Sequence, residues 1–203
     1  MSRREAEHAG SHNRTMSAAQ VLEPAAPNRA VGSFEAPFDM LDACHARLRT
    51  NLGLLTRLTA HLRAQGSCSQ AGEAACSVMR YFDIAARLHH QDEERHVFPR
   101  LEASGEVQLV ALAKRLRGEH RQIEHQWGLL WPMLEQVARH RSLDLAELAV
   151  TCQRFVQLHQ AHLADEEQVA YPSAQIALAC EGGDALRPMG EELGARRGLG
   201  LLP

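Results

Sequence analysis

The chain has 203 residues, 45% of them apolar, enough for one hydrophobic core and few enough for one domain with tails. A net charge of −3 and a pI near 6.5 give no electrostatic footing for nucleic acid or an anionic membrane surface, and no apolar run is long enough to span a bilayer. Five cysteines, an odd number with no CxxC pair, argue against a disulfide framework and for reduced thiols in a cytoplasm, while 4% aromatics beside abundant Leu and Ala favour helices over strands.

Residues 1–34 carry Pro24, Pro27, mixed charge and no periodicity, and read as a disordered N-terminal tail; Arg3, Arg4 and Arg14 are followed by no apolar stretch of the kind a secretory signal needs. The first periodic segment starts near Pro37. Phe38, Leu41, His45, Leu48, Leu52, Leu55, Thr59 and Leu62 recur at steps of three and four, the apolar seam of a long helix that Gly66 and Ser67 end. A second helix is predicted over about 70–101, with seam Ala75, Met79, Phe82, Ala86, His89, Glu93 and Val97, before Ser104 and Gly105 turn the chain. A third covers about 106–140, with seam Val110, Ala113, Leu116, His120, Ile123 or Glu124, Trp127, Leu130, Leu134 and Val137, and Pro132 should kink it. A fourth covers about 143–179, with seam Leu148, Cys152, Phe155, Leu158 or His159, His162, Glu166, Val169 and Ile176. Beyond Cys180 the chain turns Gly-rich and reads as a flexible tail over 180–203. Four long helices over 35–179 with short connections imply an all-α, up-down-up-down antiparallel four-helix bundle.

Histidines and glutamates interrupt these apolar seams. His89 and Glu93, with Phe98-Pro99 after them, return 73 residues later as His162 and Glu166 with Tyr171-Pro172. Residues i and i+4 of a helix lie one above the other, so each copy offers an imidazole and a carboxylate on one face. His45 stands 21 residues before Gly66, His89 19 after Gln70, His120 21 before Arg141 and His162 19 after Leu143. In an antiparallel bundle all four histidines then lie about 30 Å from the same end, with Glu93 and Glu166 one turn beyond them. Buried carboxylates and imidazoles at one level need partners or a metal. Four imidazoles and two carboxylates spread over four helices suit two bridged metal ions better than one; iron fits this donor set, with manganese and zinc as alternatives. The predicted metal ligands are His45, His89, Glu93, His120, His162 and Glu166. Leu52, Phe82, Trp127 and Phe155, two turns away, form an apolar layer that any bundle core needs and that would also floor the site. His90 and Glu94 fall one residue off the seam and are expected to be exposed. Glu124, at i+4 from His120, is a candidate third carboxylate of the site; His159, a turn before His162, is a candidate to hydrogen-bond a ligand or to be a rim histidine, and Asp92 and Asp165 are candidates to orient ligand histidines or plain solvated helix charges. Cys44 points off the seam and reads as structural.

His45, His89/Glu93 before Phe98-Pro99, Glu119-His120, and His162/Glu166 before Tyr171-Pro172 together resemble the hemerythrin-like, or HHE cation-binding, domain over about residues 36–178. The resemblance is strongest to the bacterial branch with four His and two Glu that includes the di-iron iron–sulfur cluster repair proteins. It implies a four-helix bundle around a non-haem, oxo- or hydroxo-bridged di-iron centre with Glu93 and Glu166 as bridges. The chain departs from oxygen-carrying hemerythrin in having Glu124 where a second third-helix histidine would stand, and His-x-x-x-Glu on its fourth helix. The expectation is a cytoplasmic protein that binds or senses O2, NO or peroxide in stress response or iron handling, without nucleic-acid or membrane partners and with no protein partner identified. The alternatives are a di-iron enzyme consuming peroxide or NO, an iron–sulfur repair protein, and a metal-independent helical interaction module.

Overall fold

The computed structural model describes residue 22, residues 36–182 and residues 185–199. The tail predicted over 1–34 lies outside the described residues apart from Leu22, which is buried against the bundle core.

Helix α1 (Pro37–Gln65) begins with a proline, whose missing N–H is one that a first turn leaves without a helical partner anyway. It ends at Gly66, where φ is 78° and the amide donates to the Leu62 carbonyl at 3.0 Å. The second arm is built from α2 (Ser69–Arg80), a π-helical segment (Tyr81–Ala86), α3 (Arg87–His96) and α4 (Phe98–Ala103). After Gly105, with φ 70°, the third arm is a single helix, α5 (Val107–Ala138), continuous through Pro132. The Asp144 carboxylate caps the fourth arm by accepting the amides of Ala146 and Glu147 at 2.8 and 3.1 Å. That arm comprises α6 (Leu145–Asp165), a second π-helical segment (Glu166–Ala170) and α7 (Tyr171–Glu181). Packing is between neighbours: α1 lies against α2 and α6, and α5 lies against the same two. The result is the closed up-down-up-down bundle that the periodicity predicts, with no strand among the described residues.

Two apolar clusters fill the bundle, one holding Leu52, Leu55, Phe82, Leu130 and Phe155 and the other Phe38, Leu41, Val97, Phe98, Leu116 and Tyr171. The interrupted seam positions lie between them.

The seam differs from prediction in the two arms that carry π turns. A π turn adds one residue, so positions on its two sides cannot share one 3.6-residue register. Below the first π segment the core uses Val78, and Met79 is only half-buried. Beyond the second it uses Ala170, Tyr171, Ala174 and Leu178, leaving Val169 and Ile176 exposed. In α1, Leu58 takes the core place assigned to Thr59, whose hydroxyl donates back to the Leu55 and Thr56 carbonyls. The segment after Cys180 also departs from a simple tail. Residues Leu186–Leu199 form α8, which packs on α1 and α3 with Met189 and Leu193 buried, while Arg196 reaches Asp92 and Glu192. Its glycines suggest flexibility, but Met189 and Leu193, four residues apart, give it an apolar stripe to dock.

Candidate metal centre

The bundle brings the six predicted residues together. His45, His89, Glu93, His120, His162 and Glu166 are all at most 2% exposed. Their donor atoms form two overlapping sets, His45/His89/Glu93/Glu166 and Glu93/His120/His162/Glu166, with atoms in each set within 4.8 Å of one another. The two glutamates belong to both sets, and each directs one oxygen toward each. Glu93 Oε1 lies 3.6 Å from His45 Nε2 and 3.3 Å from His89 Nε2, whereas its Oε2 lies 3.4 Å from His120 Nε2. Glu166 Oε2 is 3.4 Å from His45 Nε2, and its Oε1 is 2.9 Å from His162 Nε2 and 3.7 Å from His120 Nε2. Donors that share an ion at about 2.1 Å stand within about 4.2 Å of each other, so these separations suit ligation.

Orphaned polar atoms test the fit. His89 Nε2, His120 Nε2, His162 Nε2, Glu93 Oε2 and both Glu166 oxygens are buried without a hydrogen-bond partner. That many buried polar atoms without a partner are costly unless cations take their lone pairs.

Carboxylates outside the cluster orient three of the four imidazoles. His45 Nδ1 is 2.9 Å from Glu167 Oε1, His120 Nδ1 is 2.8 Å from Glu94 Oε1, and His162 Nδ1 is 2.9 Å from Glu119 Oε2. Each turns Nε2 inward, the arrangement by which carboxylates fix ligand histidines. His89 Nδ1 has no such partner among the described residues. Arg49 braces Glu167 at 2.7 and 2.8 Å, and Arg115 braces Glu119 at 2.8 Å. Asp92 and Asp165 pair with Arg196 and Arg115.

Without a cation the cluster holds protons. Burial works to lower the histidine pKa values, but the close approach of Glu93 and Glu166, with the outer carboxylates behind, prevails. His45 is pushed up to about 10, His120 to about 11 and His162 to about 9. Burial likewise opposes ionisation of Glu93, yet the facing histidines bring it down to about 2 and hold Glu166 well below its ordinary value. Burial, then the charges of Glu93 and Glu166, keep the Tyr171 phenol far above its usual range.

Several neighbours were not legible as such. His90 is 6% exposed, stacks on His120 with ring centroids 3.9 Å apart, and groups with His120 and His162. Glu94 is partly exposed as its off-seam position suggests, but the same offset aims it at the neighbouring helix and His120. The doublets Glu93-Glu94 and Glu166-Glu167 were the available signal, since consecutive helix residues point about 100° apart. His159 is fully buried, its Nδ1 held by the Phe155 carbonyl at 2.9 Å, and burial takes its pKa down to about 3. Glu124 is exposed and stays outside the cluster. The expected floor is present: Phe82 packs on Trp127 and Phe155 at 5.1 and 4.9 Å, within the cluster that includes Leu52. A cavity of about 40 Å³ adjoins it, lined by Phe82, Trp127 and Phe155 and, among its polar residues, by Arg87, His90 and Glu124.

The sequence profile of the Hemerythrin HHE cation binding domain matches residues 36–178. The chain is also 29% identical, over 178 residues, to an uncharacterized protein of Haemophilus influenzae, an alignment covering 88% of this chain and 97% of that protein. None of the described helices is long and apolar enough to cross a membrane.

Proposed function

The chain belongs to the hemerythrin HHE cation-binding family, and on that premise we propose that it is a non-haem di-iron protein that binds or senses a small ligand, O2, NO or peroxide, in stress response or iron handling. One observation carries the reading: each of two buried carboxylates turns one oxygen to the His45/His89 pair and the other toward His120 or His162. A single ion would leave half of these donors without a use; two ions use them all.

The side chains then have distinct tasks. His45 and His89 with Glu93 and Glu166 would hold one ion, and His120 and His162 with the same two glutamates would hold the other. Glu167, Glu94 and Glu119 fix three imidazoles with Nε2 inward, so little ordering is left for the moment of binding. Phe82, Trp127 and Phe155 exclude bulk water from below, and the adjoining cavity has room for a diatomic molecule or a single water. A pair of irons held there supplies one-electron chemistry and coordination positions for such a ligand. Sensing, carriage and turnover are separated by exposing iron-loaded protein to O2, NO and peroxide: reversible binding without consumption supports the proposal, and catalytic turnover replaces it with a di-iron oxidoreductase.

A further inference from the structure

Where one copy of the repeat has Phe98 the other has Tyr171, a ring that differs by one oxygen atom. Phe98 and Tyr171 occupy equivalent places, each five residues after a predicted bridging glutamate. Phe98 lies against His120 with ring centroids 5.3 Å apart, and Tyr171 stacks on His45 at 5.1 Å with the rings 21° from parallel. In the fourth arm the π turn brings this about: the Tyr171 amide donates to the Glu166 carbonyl, an i to i+5 bond that carries residue 171 back over the face bearing Glu166. The Tyr171 hydroxyl is thereby inside the donor set. It lies 2.9 Å from His45 Nε2 and contacts Glu93 Oε1, atoms that are themselves 3.6 Å apart. The phenolic oxygen stands as close to these donors as they stand to one another, which is the spacing of neighbouring ligands around one ion. At Phe98 no such atom exists.

Resting on the two-ion reading, we infer that Tyr171 is a seventh ligand, its phenolic oxygen binding the ion of the His45/His89 half, and that the two ion positions are inequivalent for this reason. One position has two imidazoles, two carboxylate oxygens and a phenolate; the other has two imidazoles and two carboxylate oxygens with His90 stacked alongside. Phenolate is a hard oxygen donor suited to ferric iron, and a bound cation reverses the electrostatic field that two carboxylates otherwise impose on the phenol.

The test loads purified full-length protein with ferric iron and measures iron content, visible absorption and resonance Raman scattering. The chain has two tyrosines, and Tyr81 instead reaches the Cys44 carbonyl at 3.4 Å, so Tyr81→Phe is the control. The expected result is a phenolate-to-iron charge-transfer band with tyrosinate ring modes in wild type and Tyr81→Phe, both lost in Tyr171→Phe, which keeps the ring and deletes one oxygen. Ring-deuterated tyrosine should shift the wild-type modes, a readout that needs no variant to fold. Two irons without tyrosinate modes, or modes that persist in Tyr171→Phe, overturn the inference and leave the di-iron reading standing. A wild-type protein that takes up no iron overturns both.

Discussion

Replacing Glu119 by Ala tests what an outer carboxylate does for the proposed ligand it holds, His162. Glu119 Oε2 meets His162 Nδ1 at 2.9 Å, and on its other side His162 Nε2 stands 2.9 Å from Glu166 Oε1. In Glu119→Ala the imidazole keeps its position on α6 but loses the acceptor that sets its tautomer and direction. Loss of such a partner weakens metal binding about 10- to 100-fold, or about 1.4–2.7 kcal/mol. Arg115 retains Asp165 at 2.6 Å, so the surface around the substitution keeps an ion pair. Glu119→Gln preserves an acceptor oxygen without the charge and should fall between Ala and wild type. Glu124→Ala, on the same helix but exposed, should bind as wild type does. Competition against a chelator of known affinity, with circular dichroism as the folding control, measures each. A folded Glu119→Ala variant with wild-type affinity would refute the orienting role.

The pKa shifts give a second prediction: at pH 7 the metal-free protein carries protons on His45, His120 and His162, so metal uptake should release about three protons from the imidazoles, and one more where the Tyr171 phenol binds as phenolate, read by calorimetry in buffers of different ionisation enthalpy; no release contradicts it. Because those folded-state values lie above the unfolded 6.5, their contribution to metal-free stability is complete below pH 6.5 and disappears as pH rises through about 9 to 11. The Tm of metal-free protein should therefore fall between pH 7 and 10, with the loaded protein not following. Phe155→Ala, which empties a fully buried position against Phe82, Trp127 and His159, should cost about 3–5 kcal/mol in denaturant unfolding; a cost under about 1 kcal/mol would mean the floor repacks. Arg196→Ala should loosen α8 by roughly 1.5–3 kcal/mol, visible as faster hydrogen exchange confined to residues 186–199 and leaving metal content unchanged.

The four-helix plan and the meeting of six polar residues were legible because one rule governs both: a 3.6-residue seam shows where apolar side chains belong, and His45, His89, Glu93, His120, His162 and Glu166 stand in it without being apolar. What that rule misses is what breaks its period. The π turns at Tyr81–Ala86 and Glu166–Ala170 leave no composition signal, so Met79, Val169 and Ile176 were assigned to the core in place of Val78, Ala170 and Leu178. His90 sits one residue off the seam, where the period points to solvent, yet it is buried against the rings of His120 and His162. Glycine content hid α8, whose order comes from tertiary docking of Met189 and Leu193 and not from local propensity.

Iron stoichiometry with an optical spectrum tests the central claim most directly. Purified protein loaded with iron under air should hold two irons per chain and show an oxo-bridge band that changes when NO is added, and the double variant His89→Ala/His162→Ala should lose both the metal and the thermal stabilisation it confers. A chain that holds one iron or none, or a double variant with unchanged metal content and Tm, would contradict the di-iron assignment.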